Sequence, residues 1–324
     1  MRYKAAIEYL HSFINYENLS SYSYMRSFKR ERMQRLLSRI GNPHKDLRVI
    51  HVAGSKGKGS VSVFIAYILK EAGYKVGLYT SPHLHDFRER IRILQKTNKE
   101  KNAAGDFEGM ISQRAVCALL ERLRHAIECA QRDTRYGSLS FFEVYSALAF
   151  QYFNDENVDI VVLETGLGGR LDATNVASSM LSVITPISYE HTKYLGRTLE
   201  AIAYEKASII KRENRISSEG TRIALTAAQP PSVLRLIRAV AKKNGARLFE
   251  AGKHFRFSIT NDNAFDYCGL GETLRDVWVR LGGEHQVANA SLAVASCQAL
   301  RHYNIAIGEK ALRIGLGNCR WPAR

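Results

Sequence analysis

The chain has 324 residues, 45% of them apolar and 24% charged, and its 47 lysines and arginines outnumber 31 acids for a formal net charge of +16. That is enough chain for one large core, or a core with a small appendage, and the composition excludes a disordered or fibrous protein. No apolar stretch approaches a membrane span, and the charged opening Arg2, Lys4 and Glu8 lacks the apolar centre of a signal peptide.

From about Tyr3 to Arg39 the apolar spacing predicts a helical N-terminal region that ends in Gly41-Asn42-Pro43. Met25, Phe28, Met33, Leu36, Leu37 and Ile40 form an apolar side, opposite Arg26, Lys29, Arg30, Arg32, Arg35 and Arg39. A basic surface attracts phosphates, so nucleic acid is one reading of this cluster. The exposed face of an amphipathic helix accounts for it without such a partner, and none is expected.

Val49-Ile50-His51-Val52 reads as a short buried strand that runs into Gly54-Ser55-Lys56-Gly57-Lys58-Gly59-Ser60. A helical apolar pattern follows from Val61 through Phe64, Ile65, Ile68, Leu69 and Ala72 until Gly73. A strand that turns through glycines into a helix start gathers unpaired N–H groups, the positive end of a helix dipole and a lysine around one concavity. Glycine lets the backbone approach phosphate oxygens, Lys58 supplies a point charge, and Ser60 offers a hydroxyl near a metal. The spacing is shorter than Gly-x4-Gly-Lys-[Ser/Thr], so on this segment alone a glycine-rich turn without ligand stays open.

Lys75 to Ser81 reads as a second buried strand leading to Pro82-His83-Leu84 and Phe87-Arg88-Glu89-Arg90-Ile91. Strand, helix and strand make a parallel βαβ unit, whose ligand crevice lies at the carboxyl ends of its strands. A polar stretch from Lys96 to Gly109 suggests a surface loop, and helices are expected over about Ile111 to Arg132 and Phe142 to Tyr152. The apolar run Val158 to Leu163 has the pattern of a strand buried on both faces, and it delivers Glu164 before Gly166-Leu167-Gly168-Gly169-Arg170-Leu171-Asp172-Ala173-Thr174-Asn175. Another strand, Leu181 to Ile187, leads to Glu190-His191 and to a helix carrying Glu205-Lys206-Ala207. Taken singly, Glu164 or His191 reads as structural; four segments that end on one sheet edge with phosphate or metal ligand types read as a site.

Thr221 to Leu225 and Ser232 to Asn244 continue the alternation, His254 to Val279 reads as a small antiparallel flank, and Gln286 to Arg301 as a final helix. The expected fold is α/β, a doubly wound, mostly parallel sheet with a phosphate-binding loop and that flank. Cys117, Cys129, Cys268, Cys297 and Cys319 are scattered without Cys-x-x-Cys spacing, which fits reduced thiols and a cytoplasmic protein.

These segments resemble the folylpolyglutamate synthase/dihydrofolate synthase branch of the Mur ligase superfamily. The resemblance runs in order from about Tyr9 to the last residue: His51 to Ser60, Gly77 to Leu84, Phe87 with Glu89-Arg90-Ile91, Phe141-Phe142-Glu143, Glu164 to Asn175, His191 with Leu195-Gly196 and Thr198, Glu205-Lys206-Ala207, His285-Gln286 with Asn289-Ala290, and Trp321-Pro322-Ala323-Arg324. Ser55-Lys56, Glu190, Ser208 and Arg212 to Arg215 depart from the family's usual text without removing a ligand residue. The resemblance implies a helical region over residues 1–45 and an ATP-binding core over 46–324, with the family's C-terminal domain lacking beyond the Trp-Pro-Ala-Arg text.

The implied chemistry is ATP-dependent addition of L-glutamate to dihydropteroate or a reduced folate through an acyl phosphate, by a monomer with no membrane partner. Gly54, Gly57, Lys58, Gly59 and Ser60 would hold the phosphates, and Asn289 and Arg324 would contact the nucleotide. Ser81 and Glu164 would bind a first Mg2+, His191 a second. Lys206 stands where the family's lysine is carbamylated; an ion pair with Glu205 or another acid on its helix is the alternative. His83, Phe87 and Arg90 lie in the loop that closes over the pterin, where Phe87 either stacks on the ligand or packs. A nucleotide-binding remnant without ligase activity, or a Mur-type ligase for another substrate, stay open, and the chain alone is expected to be a poor ligase.

Overall fold

A computed structural model describes residues 1–19, 22–96, 107–212 and 222–322. Most of the expected Lys96–Gly109 loop, the start of the Thr221 strand, much of the Arg212–Arg215 departure and Arg324 therefore lie outside the described residues, as does the Arg26 side chain. In chain order, α1 (Tyr3–His11), α2 (Tyr24–Ser27) and α3 (Arg30–Arg39) precede β1 (Val49–Ala53), α4 (Lys58–Glu71), β2 (Val76–Tyr79) and β3 (Ile91–Leu94). Then come α5 (Gln113–Arg132), α6 (Phe141–Asp155), β4 (Ile160–Glu164), β5 (Ser179–Ile184), α7 (Thr192–Leu195) and α8 (Leu199–Ala207). The chain continues through β6 (Ile223–Thr226), α9 (Pro231–Lys243), β7 (Arg247–Glu250), β8 (Phe255–Asn261), β9 (Ala264–Gly269), β10 (Glu272–Trp278), α10 (Glu284–Ala299) and α11 (Glu309–Asn318).

The main sheet has seven strands in the order β3-β2-β4-β1-β5-β6-β7, all parallel except the β2–β3 pair. Strand β1 is buried along its whole length because β4 and β5 flank it and helices cover both faces. Alternation decides which layer each residue joins. Ile50, Val52, Ile160 and Val162 pack with α4, α10 and the flank, whereas Val49, Val161 and Leu163 pack with α5 and α6. Ala53 and Ile184, at the strand ends, join a third cluster with α8 and α9. The expected doubly wound α/β sheet and the antiparallel flank, here β10-β9-β8, are both present.

Several expectations are corrected. Strand β4 lies between β1 and β2, so the parallel βαβ unit spans a strand it does not contain. The helix after the glycine loop begins at Lys58, not Val61. Strands β3 and β7 were not expected: β3 carries Arg92, which is buried with its Nε donating to the Glu108 carbonyl at 2.7 Å, and β7 is four residues bounded by Arg247 and Glu250. Gln286–Arg301 is not the last helix, since α11 follows. Its Gly315 disguises a helix but is needed there, because a Cβ would stand 2.5 Å from Ile68 Cα on α4. On α3, Arg32 is buried against Glu143 of α6 at 2.7 Å, and Met25 of the supposed apolar side is exposed.

Candidate active site

Register places the site. Val52 pairs with Glu164 and Ala53 with Ile184, so the loops after β1, β4 and β5 leave the sheet at one level. Tyr79 of β2 pairs with Leu163, which brings Ser81 over the end of β4; its backbone N–H donates to Glu164 Oε2 at 3.1 Å. The glycine loop, Ser81, Glu164 and His191 thus share the carboxyl edge, the edge where open α/β sheets bind ligands.

The loop is built for close approach. Gly54 has φ +154°, and a Cβ there would stand 1.8 Å from Thr185 Oγ1, a buried hydroxyl without a hydrogen-bond partner. Gly57 caps α4 in the left-handed region at φ +82°, and a Cβ there would stand 2.3 Å from Asn289 Oδ1. Helix α10 thereby carries Asn289 against the loop, where its Nδ2 donates to Gln286 Oε1 at 3.1 Å. The Ser55 and Lys56 N–H groups are occupied by the Pro186 carbonyl. With glycine as N-cap there is no side chain to satisfy the first N–H groups of α4, which include those of Gly59 and Ser60.

Two lysines converge on one oxygen. Lys58 Nζ donates to the Gly54 carbonyl at 2.9 Å and Lys206 Nζ donates to the same atom at 2.7 Å. Lys206 is 1% exposed and also donates to Glu190 Oε1 at 2.6 Å. Burial, reinforced by Lys58 and opposed by Glu190, brings its ammonium down to about 8. Its neighbour Glu205 takes another course, accepting from Arg170 Nε at 2.9 Å and from the Tyr24 hydroxyl at 3.1 Å. The acid that pairs with Lys206 is thus Glu190, sixteen positions before it and off its helix. Burial also lowers the His191 imidazole, with Lys206, Lys58 and Lys56 adding to it against Glu190.

The block after Glu164 is held from inside by Asp172. Its Oδ2 accepts from Gly166 and Leu167 N–H at 3.0 and 2.9 Å, and its Oδ1 accepts from Thr174 N–H at 2.9 Å and from the Thr174 hydroxyl. Burial raises the Asp172 carboxyl, and these hydrogen bonds oppose that rise. Glu89 does the same for the Ser81 loop, accepting from Leu84, His85 and Asp86 N–H at 2.7, 3.0 and 2.8 Å.

Beside the loops lies a cavity of about 510 Å³ whose lining includes Ser81, His83, Arg90, Phe142, His191 and Tyr194. Tyr16, Tyr22 and Phe28 line it as well, with the Tyr22 and Tyr194 rings stacked at 4.3 Å. Arg90, 1% exposed, grips Glu17 with both terminal nitrogens at 2.8 and 2.5 Å. Phe87 does not line this cavity: it is buried, with its ring against Tyr3 and edge-on to Tyr145. Of the site residues read from sequence, Arg324 lies outside the described residues. Glu17 was missed, and only the fold, which brings it 73 positions to Arg90, reveals it.

The chain matches the Mur ligase middle domain over residues 142–297. It is 39% identical over 302 residues to the dihydrofolate synthase/folylpolyglutamate synthase of Bacillus subtilis, covering 90% of this chain and 64% of that protein. The folylpolyglutamate synthase of Lacticaseibacillus casei is 30% identical over 100% of this chain and 70% of its own length. Among solved structures, that of the folylpolyglutamate synthase from Thermotoga maritima superposes with a TM-score of 0.81 at 34% identity, covering 99% of this chain and 67% of that one. A complex of such an enzyme with AMPPCP and folate superposes with a TM-score of 0.85 at 30% identity, covering 100% of this chain and 73% of that one. The chain thus spans a little under two thirds of the Bacillus protein's length. With 30% identity over 70% of the Lacticaseibacillus protein and superposition on 67% of the Thermotoga chain at 34% identity, the chain belongs to the folylpolyglutamate synthase/dihydrofolate synthase family of the Mur ligase superfamily.

Proposed function

We propose that the chain forms the ATP-binding core of a ligase that joins L-glutamate to dihydropteroate or a reduced folate. The observation that carries this reading is the glycine loop with Lys58 and Lys206 on one carbonyl, placed beside Ser81, Glu164, His191 and an aromatic-walled cavity. A related enzyme has been solved with AMPPCP and folate together, which supports the same two classes of ligand here.

A carboxylate is a poor acyl donor because it would have to expel oxide. Transfer of the γ-phosphoryl group of ATP to a carboxylate oxygen gives an acyl phosphate, and attack by the glutamate amine then forms the amide and releases phosphate and a proton. Phosphoryl transfer needs positioning and charge neutralisation more than covalent help. Gly54, Gly57, Gly59 and Ser60 would supply close backbone approach and N–H donors, Lys58 a mobile cation, and Asn289 a polar contact beside the loop.

The residues present fit Mg2+. Ser81 carries a hydroxyl and Glu164 a carboxylate, the hard oxygen donors that Mg2+ prefers, and the Ser81 N–H contact to Glu164 Oε2 holds the two residues side by side at the strand ends. Among the described residues no group of three or more histidine, cysteine, aspartate or glutamate side chains forms a cage, which suits an ion that draws its remaining ligands from phosphate and water. Magnesium, when bound, neutralises phosphoryl charge. His191, in the cavity wall, would assist at a second ion near the acid substrate. Lys206 is the amine for carbamylation, in which neutral nitrogen adds to CO2 and loses a proton. Its depressed ammonium supplies the neutral form, and Glu190 must then release it.

The test is titration calorimetry of the chain with Mg-ATP and, separately, with dihydropteroate and tetrahydrofolate, followed by a glutamate ligation assay. Saturable binding of the nucleotide and of at least one pteroate compound is expected. Absence of nucleotide binding would overturn the reading.

A further inference from the structure

We infer that the Glu17–Arg90 ion pair locks His83 as the neutral tautomer protonated on Nε2, and that this N–H is a hydrogen-bond donor to the acid substrate in the aromatic-walled cavity. A guanidinium has donors only. Arg90 Nε lies 2.8 Å from His83 Nδ1, so Nδ1 must be the acceptor and carries no proton. The one proton of the neutral ring then sits on Nε2.

The rest of the Arg90 guanidinium is held by Glu17 and Phe141. Its two terminal nitrogens form a fork on Glu17, its guanidinium lies 5.5 Å from the centre of the Phe141 ring, and 99% of the residue is out of solvent. Arg90 and Glu17 also line the cavity, and their role here is to position His83: Glu17 holds the guanidinium, and the guanidinium holds Nδ1. His83 itself is half-buried and lines the cavity with Ser81 and His191. A neutral N–H suits a carbonyl oxygen or a ring nitrogen and exerts little pull on a phosphate. The two lysines on Gly54 do the opposite. The site thereby separates a polyanion side from a flat, weakly charged side without any added gate.

The identity of the ligand rests on the function proposed above, whereas the tautomer does not. Long-range 1H–15N correlation on the full chain labelled at histidine reports the tautomer directly, with the His83 signals assigned by their loss in His83→Asn. Nδ1 unprotonated and Nε2 protonated is expected, and Glu17→Ala should blur this into a tautomer mixture. A proton found on Nδ1 of the unmodified chain would overturn the lock.

Calorimetry with dihydropteroate then tests the donor. His83→Gln can place an amide N–H near the Nε2 position and should keep affinity within about threefold, whereas His83→Asn cannot and should lose about five- to tenfold. Mg-ATP affinity, unchanged in both, shows that the fold is intact. Equal dihydropteroate affinity in the two variants overturns the donor role and leaves the proposed function standing. A parent chain that binds Mg-ATP but neither dihydropteroate nor tetrahydrofolate overturns the donor role together with the proposed substrate.

Discussion

Lys58 is the side chain on which nucleotide affinity turns, because it is the cation held at the mouth of the glycine loop by a single backbone oxygen. Lys58→Ala should weaken Mg-ATP binding by about 1.5–3 kcal/mol, the worth of a charge-assisted hydrogen bond, and calorimetry that finds equal affinity would refute it. Glu164→Gln keeps the acceptor for Ser81 N–H but removes the charge a hard cation needs. The magnesium concentration that supports nucleotide binding should rise while the thermal midpoint stays; an unmoved magnesium titration would make Glu164 purely structural. His51 gives a pH prediction. It is fully buried, its Nε2–H donates to Thr174 Oγ1 at 2.8 Å, and burial, with Lys211 adding to it, lowers the imidazole to about 3. The unfolded chain takes up this proton below about 6.5 and the folded chain does not, so stability is full above that pH and falls as pH drops towards 3. His51→Gln should remove about 2 kcal/mol of the loss between neutral pH and about pH 5, read from urea midpoints.

Between elements, the buried Arg32–Glu143 pair ties α3 to α6, while Glu143 also accepts from Ser140 at the start of α6. Arg32→Leu strands a carboxylate that burial already pushes up, and should cost about 3–5 kcal/mol. Adding Glu143→Leu should cost clearly less than the sum of the two single changes, and strict additivity in denaturation would show that the pair is not coupled. The same pair marks the limit of reading by pattern. The charge run on α3 was legible as an amphipathic face, but which arginine turns inward was not, since its partner stands 111 positions away. Glu17 and Arg90 repeat the case at the cavity, and Glu190 does so for Lys206. By contrast, Gly54, Gly57, Ser81 and Glu164 were legible because strand ends and glycine turns are local text.

Over the whole molecule, the layers were readable from strands buried on both faces, and the misses fall where a charge or glycine interrupts a short element, as at β3, β7 and α11. The layering predicts a chemical pattern too. Cys297 and Cys319 are fully buried in the cluster between α4 and the flank, and burial pushes both thiols up. Cys117, Cys129 and Cys268 are partly exposed. Pulsed alkylation with mass spectrometry should label these three in the native chain and the other two only after urea is added. Rapid labelling of Cys297 or Cys319 without urea would contradict the packing of that layer.

The shared Gly54 oxygen makes the loop cheap to rearrange. A carbonyl that loses its sole donor inside a protein is left stranded, at a cost of about 1–3 kcal/mol. Here one ammonium can swing towards an arriving anion while the other stays in place, so the oxygen is never abandoned. In its unmodified ammonium form Lys206 acts as a placeholder during that hand-over, and the charge of Lys58 is available on demand without the backbone moving to release it.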